Sequence, residues 1–89
     1  MSTQPMVKSR LKLVLHEFNG ERMRRGEQPL TVRELAALAN LSPSVVSGLS
    51  SNRAAQVHFT TLDKLCRVLN VKPGDLLEYT PEPTPASVE

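Results

Sequence analysis

Side chains that could carry out bond chemistry are few and scattered in this chain. The single cysteine, Cys66, falls on an apolar helical stripe, where a small buried hydrophobic residue is expected rather than a reactive thiol. The two histidines, His16 and His58, lack the spacing of metal ligands. Five serines fall between Ser42 and Ser51, but they form no Gly-x-Ser-x-Gly elbow and have no paired base. We therefore predict a protein that is not an enzyme and uses no metal or cofactor, and no small-molecule effector is apparent from the sequence.

A second group of residues suits contact with a polyanion. Through Lys72 the chain carries 11 basic residues against five acidic ones, a net charge of +6, and the remainder carries four acidic residues and no basic one. Hydroxyl groups and arginines at helix N-termini hold phosphate groups, and a basic body attracts them. The residues predicted to contact phosphates are Thr31, Arg33 and Ser42, near the N-termini of predicted helices, and Arg53, just past the end of another.

The stretch LTVRELAALANLSPSVVSGL, residues 30–49, indicates two short helices joined by a tight link. Thr31 followed by Glu34 forms the pattern of a capping box, and apolar residues recur after it at helical spacing. Ser42 followed by Pro43 is typical of an N-cap and a first helical position. Two capped helices separated by about four residues form a helix-turn-helix unit, whose second helix commonly enters the DNA major groove.

A first helix is expected to begin at Met6 and to weaken or end at Asn19-Gly20. Its apolar face consists of Val7, Leu11, Val14, Leu15 and Phe18. Periodicity leaves residues 21–29 open, either as a helical extension with a loop near Gly26 or as loop throughout. The arginines in this segment, Arg22, Arg24 and Arg25, are either a solvated run or a further basic surface.

Beyond the central motif the chain predicts a loop and two more helices. Asn52 is expected in a left-handed position after the second motif helix, followed by a loop over residues 53–58. A fourth helix runs from Phe59 or Thr60 to Leu69 and carries the strongest apolar stripe of the chain. Pro73 opens a last short helix over residues 74–78.

The ends of the chain lack core-forming runs. Residues 1–5 are expected to be a disordered leader and residues 80–89 a disordered, acidic, proline-rich tail, which leaves one domain over residues 6–79 with its motif at about 31–50. The opening MSTQPMVKSR has no apolar region of a signal peptide, and no apolar run approaches the roughly 20 residues of a membrane span. A cytoplasmic, nucleoid-associated protein is expected.

These residues resemble the lambda-repressor/Cro-type helix-turn-helix domains of the xenobiotic-response-element class. The family pattern stands here as Thr31, Glu34, Leu35, Ala36, Leu41 and Ser42. FTTLDKLCRVLNVKPGDLLEY, residues 59–79, resembles the fourth and fifth helices of one subgroup. The resemblance covers about Val7 to Tyr79. It implies an all-α, compact five-helix fold and sequence-specific binding to double-stranded DNA.

Three departures from the family pattern affect the expected DNA contact. Val32 stands where the family often has Gln, Gly48 stands where many members have Arg or Lys, and the link between the first two helices is longer. The residues expected to face the groove are Pro43, Ser44, Val45, Ser47 and Gly48. Because serine hydroxyls discriminate weakly between base edges, much of the specificity is expected from DNA shape or from arms.

Two function classes follow from these observations. The first is a small transcriptional regulator, a repressor, that reads the major groove with its third helix, at about residues 42–50, as a homodimer on an inverted repeat. The residues expected at the dimer surface or over the core are Val68, Val71, Leu76, Leu77 and Tyr79. The alternative is a helix-turn-helix fold used as a protein-interaction module, or as the antitoxin of a toxin–antitoxin pair.

Overall fold

A computed structural model describes residues 7–79. The elements in chain order are β1 (Val7–Ser9), α1 (Leu11–Arg24), α2 (Val32–Ala39), α3 (Pro43–Ser50), α4 (Phe59–Leu69), α5 (Pro73–Leu76) and β2 (Leu77–Tyr79). The described part of the chain thus contains the five predicted helices. The predicted leader and tail, residues 1–5 and 80–89, lie outside the described residues. Over residues 7–79, no helix has the length and apolar character to cross a membrane.

A two-stranded antiparallel sheet makes the prediction of an all-α fold wrong in detail. Val7 was predicted to lie in the first helix and Leu77 in the last, but β1 and β2 pair with Val7 opposite Tyr79 and Ser9 opposite Leu77. The hydroxyl of Ser9 accepts a 3.0 Å hydrogen bond from the Leu11 amide, which helps α1 begin at Leu11 rather than at Met6. The pairing joins residues about 70 positions apart, a contact that helical periodicity does not reveal.

Helix α1 continues through Asn19-Gly20 and ends at Arg24. The expectation that this dipeptide ends the helix is therefore wrong, and the helical-extension alternative is confirmed. The Asn19 side chain accepts from the Leu30 amide at 2.7 Å and donates to the Leu30 carbonyl at 2.9 Å. Its polar groups thus fasten the segment before α2 to α1, and Gly26 makes the reversal between them with a left-handed φ of 81°.

The predicted N-caps of the two motif helices are confirmed. Thr31 accepts from the Glu34 amide at 3.1 Å, and Glu34 accepts from the Thr31 amide at 2.9 Å, which completes the capping box of α2. Ser42 accepts from the Val45 amide at 3.2 Å, and Pro43 is the first residue of α3. Local hydrogen bonding therefore fixes where both helices begin.

Asparagine follows three of the helices with a left-handed backbone. Asn40, Asn52 and Asn70 have φ angles of 57°, 59° and 57°, after α2, α3 and α4 respectively. The predicted left-handed conformation of Asn52 is confirmed. Asparagine tolerates this region better than other non-glycine residues, so each turn forms without a glycine.

The core is built from aliphatic side chains contributed by all five helices. Its buried members are Leu11, Val14, Leu15, Leu35, Ala36, Ala39, Val46, Leu49, Leu62, Leu65, Leu69 and Leu76. Leu76 therefore belongs to the core and not to a free surface. Cys66 is only half-buried against this core, and burial together with the Asp63 and Asp75 carboxylates raises the pKa of its thiol. A raised pKa lowers the thiolate fraction, which fits a packing role.

The packing of α4 predicts a large effect of truncating Leu65. This side chain is 1% exposed, so Leu65→Ala is expected to cost about 2–5 kcal/mol of unfolding free energy by leaving a cavity. Thermal unfolding followed by circular dichroism measures the change. Leu38→Ala, at a position that is 61% exposed on α2, is the matched control and is expected to leave the melting temperature nearly unchanged. Equal melting temperatures for the two variants would contradict the assignment of Leu65 to the core.

Candidate nucleic-acid interface

The rotation of α3 about its axis is set by two buried side chains and a short link. Val46 and Leu49 lie in the core, and the Leu41 amide donates to the Ala36 carbonyl at 2.8 Å across the turn after α2. Pro43, Ser44 and Val45 are exposed on the opposite side, whereas Ser47 and Gly48 are half-buried on its flank. All five predicted groove-facing residues therefore reach the surface of one helix, the first three most fully.

The positions predicted for phosphate contact lie at the beginning, the turn and the end of the motif. Thr31 and Ser42 cap α2 and α3, so their oxygens already accept backbone hydrogen bonds, and each hydroxyl keeps its own proton to donate. Arg33 is exposed in the first turn of α2. Arg53 follows α3, and its Nη2 atom lies 3.5 Å from the hydroxyl oxygen of Ser47.

The charge pairing of the arginines separates two of them from the rest. Ion pairs join Arg10 to Glu78, Arg22 and Arg25 to Glu27, Arg24 and Arg25 to Glu21, and Arg67 to Asp63. Within residues 7–79, Arg33 and Arg53 are the arginines that make no ion pair. The fold thus leaves these guanidinium groups available at the two ends of the helix-turn-helix motif.

The charge of the cluster Arg22, Arg24 and Arg25 is largely offset by the Glu21 and Glu27 carboxylates. Hydrogen bonding and charge from Arg25, together with the charge of Arg22, hold the pKa of Glu27 below its usual value. These arginines surround the turn after α1 and have acidic partners on both sides of it. The structure therefore favours the reading of this run as a turn-stabilising, solvated cluster.

A shallow groove separates α3 from the loop that follows it. Its lining includes Ser44, Val45, Gly48, Arg53, Gln56 and His58. Apart from its chain neighbours and the backbone of α3, no atom lies within 4 Å of the position that a Cβ would take at Gly48, so packing within the protein does not require glycine there. His58 directly precedes α4, is exposed, and makes no side-chain capping bond to this helix. Phe59, the next residue, is 88% exposed, and the apolar periodicity of the sequence did not predict this exposure.

A side-chain bracket joins the exit of α3 to the sheet. The Oδ1 atom of Asn52 accepts from the Ser9 amide at 2.8 Å, and its Nδ2 atom donates to the Ser9 carbonyl at 3.1 Å. The sequence indicated the backbone conformation of Asn52 but not this contact, because its partner lies 43 residues away. The bracket orders the chain just before Arg53.

Comparisons with known proteins agree with this geometry. Residues 22–82 match the family described as the Cro/C1-type HTH DNA-binding domain. Because that match spans more than half of the chain, the protein belongs to this family, and the predicted resemblance is confirmed.

The individual proteins that this chain resembles share about 30% of its residues over the matched regions. The uncharacterized HTH-type transcriptional regulator YozG of Bacillus subtilis (strain 168) is 30% identical over 53 residues, 60% of this chain and 63% of the relative. Two crystal structures of the clp gene regulator ClgR from Corynebacterium glutamicum are 31% identical, with TM-scores of 0.49 and 0.48. They cover 73% of this chain, and 62% and 75% of their own chains. This chain thus spans less than two thirds of YozG.

The bracket at Asn52 leads to a stability prediction. Asn52→Gly keeps the left-handed backbone but removes both bonds to Ser9, so we expect a loss of about 1–2 kcal/mol of unfolding free energy. Asn40→Gly is the matched control, because Asn40 has nearly the same φ and no side-chain hydrogen bond within residues 7–79. Urea unfolding measures both. Indistinguishable midpoints for the two variants would show that the bracket contributes nothing.

Proposed function

We propose that this chain is a sequence-specific DNA-binding transcriptional regulator, a repressor, that places α3 in the major groove of duplex DNA. One observation carries the proposal: α3 presents an exposed, uncharged face, and Arg33 before it in the chain and Arg53 after it are the two arginines of residues 7–79 without an acidic partner. Guanidinium groups free of acidic partners suit phosphate oxygens, and the uncharged face of α3 suits the edges of bases.

Affinity in this proposal comes from the rims of the motif. Arg33 and Arg53 supply charge-assisted bonds to phosphate oxygens. The hydroxyls of Thr31 and Ser42, at the positive ends of α2 and α3, donate to further phosphates. Each neutralised phosphate releases bound counterions, so binding weakens as salt rises.

Sequence readout in this proposal comes from short side chains. Ser44 and Ser47 exchange hydrogen bonds with base edges, and the exposed methyl groups of Val45 pack against a thymine methyl. Gly48 has free space above its backbone, which allows the helix to lie closer to the bases. None of these residues makes the bidentate guanine contact of arginine, so the shape and deformability of the DNA carry a large share of the preference.

The regulatory output that we propose is repression by occupancy of an operator. Two copies on an inverted repeat place two α3 helices one helical turn apart, about 34 Å, in successive major grooves. In this proposal the repressor acts on the nucleoid in the cytoplasm, and its partners are duplex DNA and a second copy of the chain.

A salt-series fluorescence-anisotropy titration tests DNA binding. The probe is a duplex taken from upstream of the gene for this protein, and a shuffled duplex is the comparison. We expect tighter binding to the upstream duplex and a fall in affinity with salt whose logarithmic slope reflects several phosphate contacts. The absence of binding to either duplex at low salt would contradict the proposal.

Single substitutions separate the two kinds of contact. Arg53→Ala is expected to weaken binding about equally to all duplexes and to reduce the salt slope by about one. Arg67→Ala is the charge-matched control: it removes the same charge, but from an arginine in the last turn of α4 that is already paired with Asp63. The same anisotropy titrations measure both variants. Loss of affinity that is confined to the preferred duplex would show that Arg53 reads bases rather than phosphates.

The serines of α3 give a complementary expectation. Ser44→Ala is expected to change the preference among duplex sequences by about 1 kcal/mol or less while leaving the salt slope unchanged. Ser51→Ala is the matched control, because Ser51 follows α3 and its hydroxyl donates to the Ser47 carbonyl at 2.8 Å. Competition titrations with single-base variants of the preferred duplex measure the change. An altered salt slope for Ser44→Ala would show that Ser44 contacts the phosphate backbone of the DNA and not the bases.

A second candidate function rests on exposed apolar groups of α3 and α4. Val45 on α3 is 42% exposed, and Phe59 at the start of α4 is the most exposed large hydrophobic residue within residues 7–79, so these groups also suit a protein partner. In that function, including the antitoxin variant, DNA affinity stays in the non-specific range for every duplex. The shuffled-duplex comparison above separates the two candidates.

A further inference from the structure

The two-stranded sheet has one blocked edge and one open edge. The Arg10 amide donates to the Leu76 carbonyl at 2.8 Å, in register with the β1–β2 ladder. Because opposite residues in an antiparallel ladder alternate between bonded and non-bonded pairs, Lys8 and Glu78 form the bonded pair within the sheet. On the outer edge of β1, the amide and the carbonyl of Ser9 are taken up by Asn52.

The outer edge of β2 has no such cover within residues 7–79. By the same alternation, the amide and carbonyl groups of Leu77 and Tyr79 point away from β1. Exposed strand edges of this kind pair readily with other strands, and natural proteins usually protect them. As far as residues 7–79 are concerned, this edge is therefore available to a partner strand.

An apolar strip accompanies the open edge. Val7 and Tyr79 lie opposite each other and share one face of the sheet with Leu77. Leu77 packs against the core, but Val7 is 50% exposed and Tyr79 is 66% exposed. The apolar face of the sheet thus extends past the end of the core.

We propose that the β2 edge pairs antiparallel with the β2 edge of a second copy of this chain, with Leu77 of each copy opposite Tyr79 of the other. The result is a four-stranded sheet across a two-fold axis. This proposal rests on the proposed function, since an inverted repeat calls for a two-fold dimer. It names the surface through which that dimer forms.

The proposed register satisfies the groups at the edge. Leu77 and Tyr79 of the two copies form two bonded pairs, which use all four outward amides and all four outward carbonyls. On the apolar face, each Tyr79 ring lies next to Leu77 of the other copy. On the opposite face the two Glu78 carboxylates meet at the axis and repel each other. Lys8, opposite Glu78 in each sheet, and Arg10, whose Nε lies 3.6 Å from the Glu78 Oε1, offset part of that repulsion.

The chain that follows β2 is a poor alternative occupant of the edge. A two-residue hairpin loop would consist of Thr80 and Pro81, but the favoured hairpin turns need a positive φ at the first loop residue. Threonine disfavours that conformation, and Pro81 has its φ fixed near −65°. Pro83 and Pro85 further reduce the amides that this segment can offer to a ladder.

The bracket of Asn52 gives the dimer a direct connection to the DNA-binding helix. β2 pairs with β1, and Ser9 of β1 is bonded to Asn52 at the exit of α3. A sheet continuous across the two copies therefore fixes the two α3 helices relative to each other. The separation of operator half-sites would follow from this geometry.

The first test removes one outward amide. Tyr79→Pro eliminates a donor on the open edge but leaves the inner Lys8–Glu78 pair intact, and Tyr79→Val keeps the donor and an apolar side chain as the matched control. Analytical ultracentrifugation without DNA measures the mass, and circular dichroism checks the helices. We expect a dimer for the wild type and Tyr79→Val, and a dimer dissociation constant raised about tenfold or more for Tyr79→Pro.

The second test measures the register directly. In a Cys66→Ala background, Glu78→Cys places two thiols at the axis, where opposite non-bonded residues have Cα atoms about 4.5 Å apart, a separation that a disulfide spans. Glu17→Cys, at an exposed position of α1, is the control. Rapid oxidation to a disulfide-linked dimer for Glu78→Cys alone supports the proposal. Equal rates for the two variants would overturn it.

These tests are independent of the proposed DNA binding. A wild-type protein that remains monomeric at hundreds of micromolar would overturn the docking proposal, whether the edge is covered by the chain's own residues or left open. The anisotropy titrations would still decide whether the protein binds DNA. Conversely, a β2-linked dimer that binds no duplex would overturn the function and leave the docking surface in place.

Discussion

The burial of Val46 and Leu49 is the constraint on which the rest of the structure depends. These side chains share the core with α2 and α4, and they allow α3 one rotation about its own axis. That rotation turns Ser44 and Val45 outward and sets Ser47 beside Arg53. The short link after α2 prevents α3 from moving independently. Two buried aliphatic residues therefore determine which side chains of α3 are exposed on the candidate DNA-binding surface.

The charges of the domain are arranged more selectively than its net charge suggests. Arg22, Arg24 and Arg25 share the carboxylates of Glu21 and Glu27 and hold the turn after α1. Such exposed pairs contribute little to stability individually, but they remove free positive charge from this end of the molecule. Among the arginines of residues 7–79, the two without an ion pair, Arg33 and Arg53, stand at the two ends of the helix-turn-helix motif.

The features that could be predicted from sequence are those set by neighbours along the chain. The capping box at Thr31, the N-cap at Ser42 and the stripe of α4 each depend on residues three or four positions apart. The rotation of α3, and hence the candidate site, followed from the same spacing. Arg33 and Arg53 were predicted as contact residues, but the fact that they lack acidic partners required the positions of all the carboxylates.

The features that escaped prediction depend on contacts that are distant in sequence. The position of Val7 fits the apolar stripe of a helix. It lies in a strand because it pairs with Tyr79, and local periodicity cannot predict a pairing between residues so far apart in the chain. From the sequence, Asn19 was expected to end a helix and Asn52 to follow one. In the structure the side-chain amide of each residue, with one acceptor oxygen and one donor nitrogen, binds the backbone N–H and C=O of a single distant residue. That residue is Leu30 for Asn19 and Ser9 for Asn52.

The measurement that tests the central claim most directly is selection of bound duplexes from a random-sequence library by the wild-type protein, followed by sequencing. If α3 reads bases, repeated selection at moderate salt enriches one short motif, and Val45→Ala shifts the preference at a thymine position of that motif. Recovery of unenriched sequence after repeated rounds would contradict the claim. The helix-turn-helix motif would then serve a partner other than a specific DNA site.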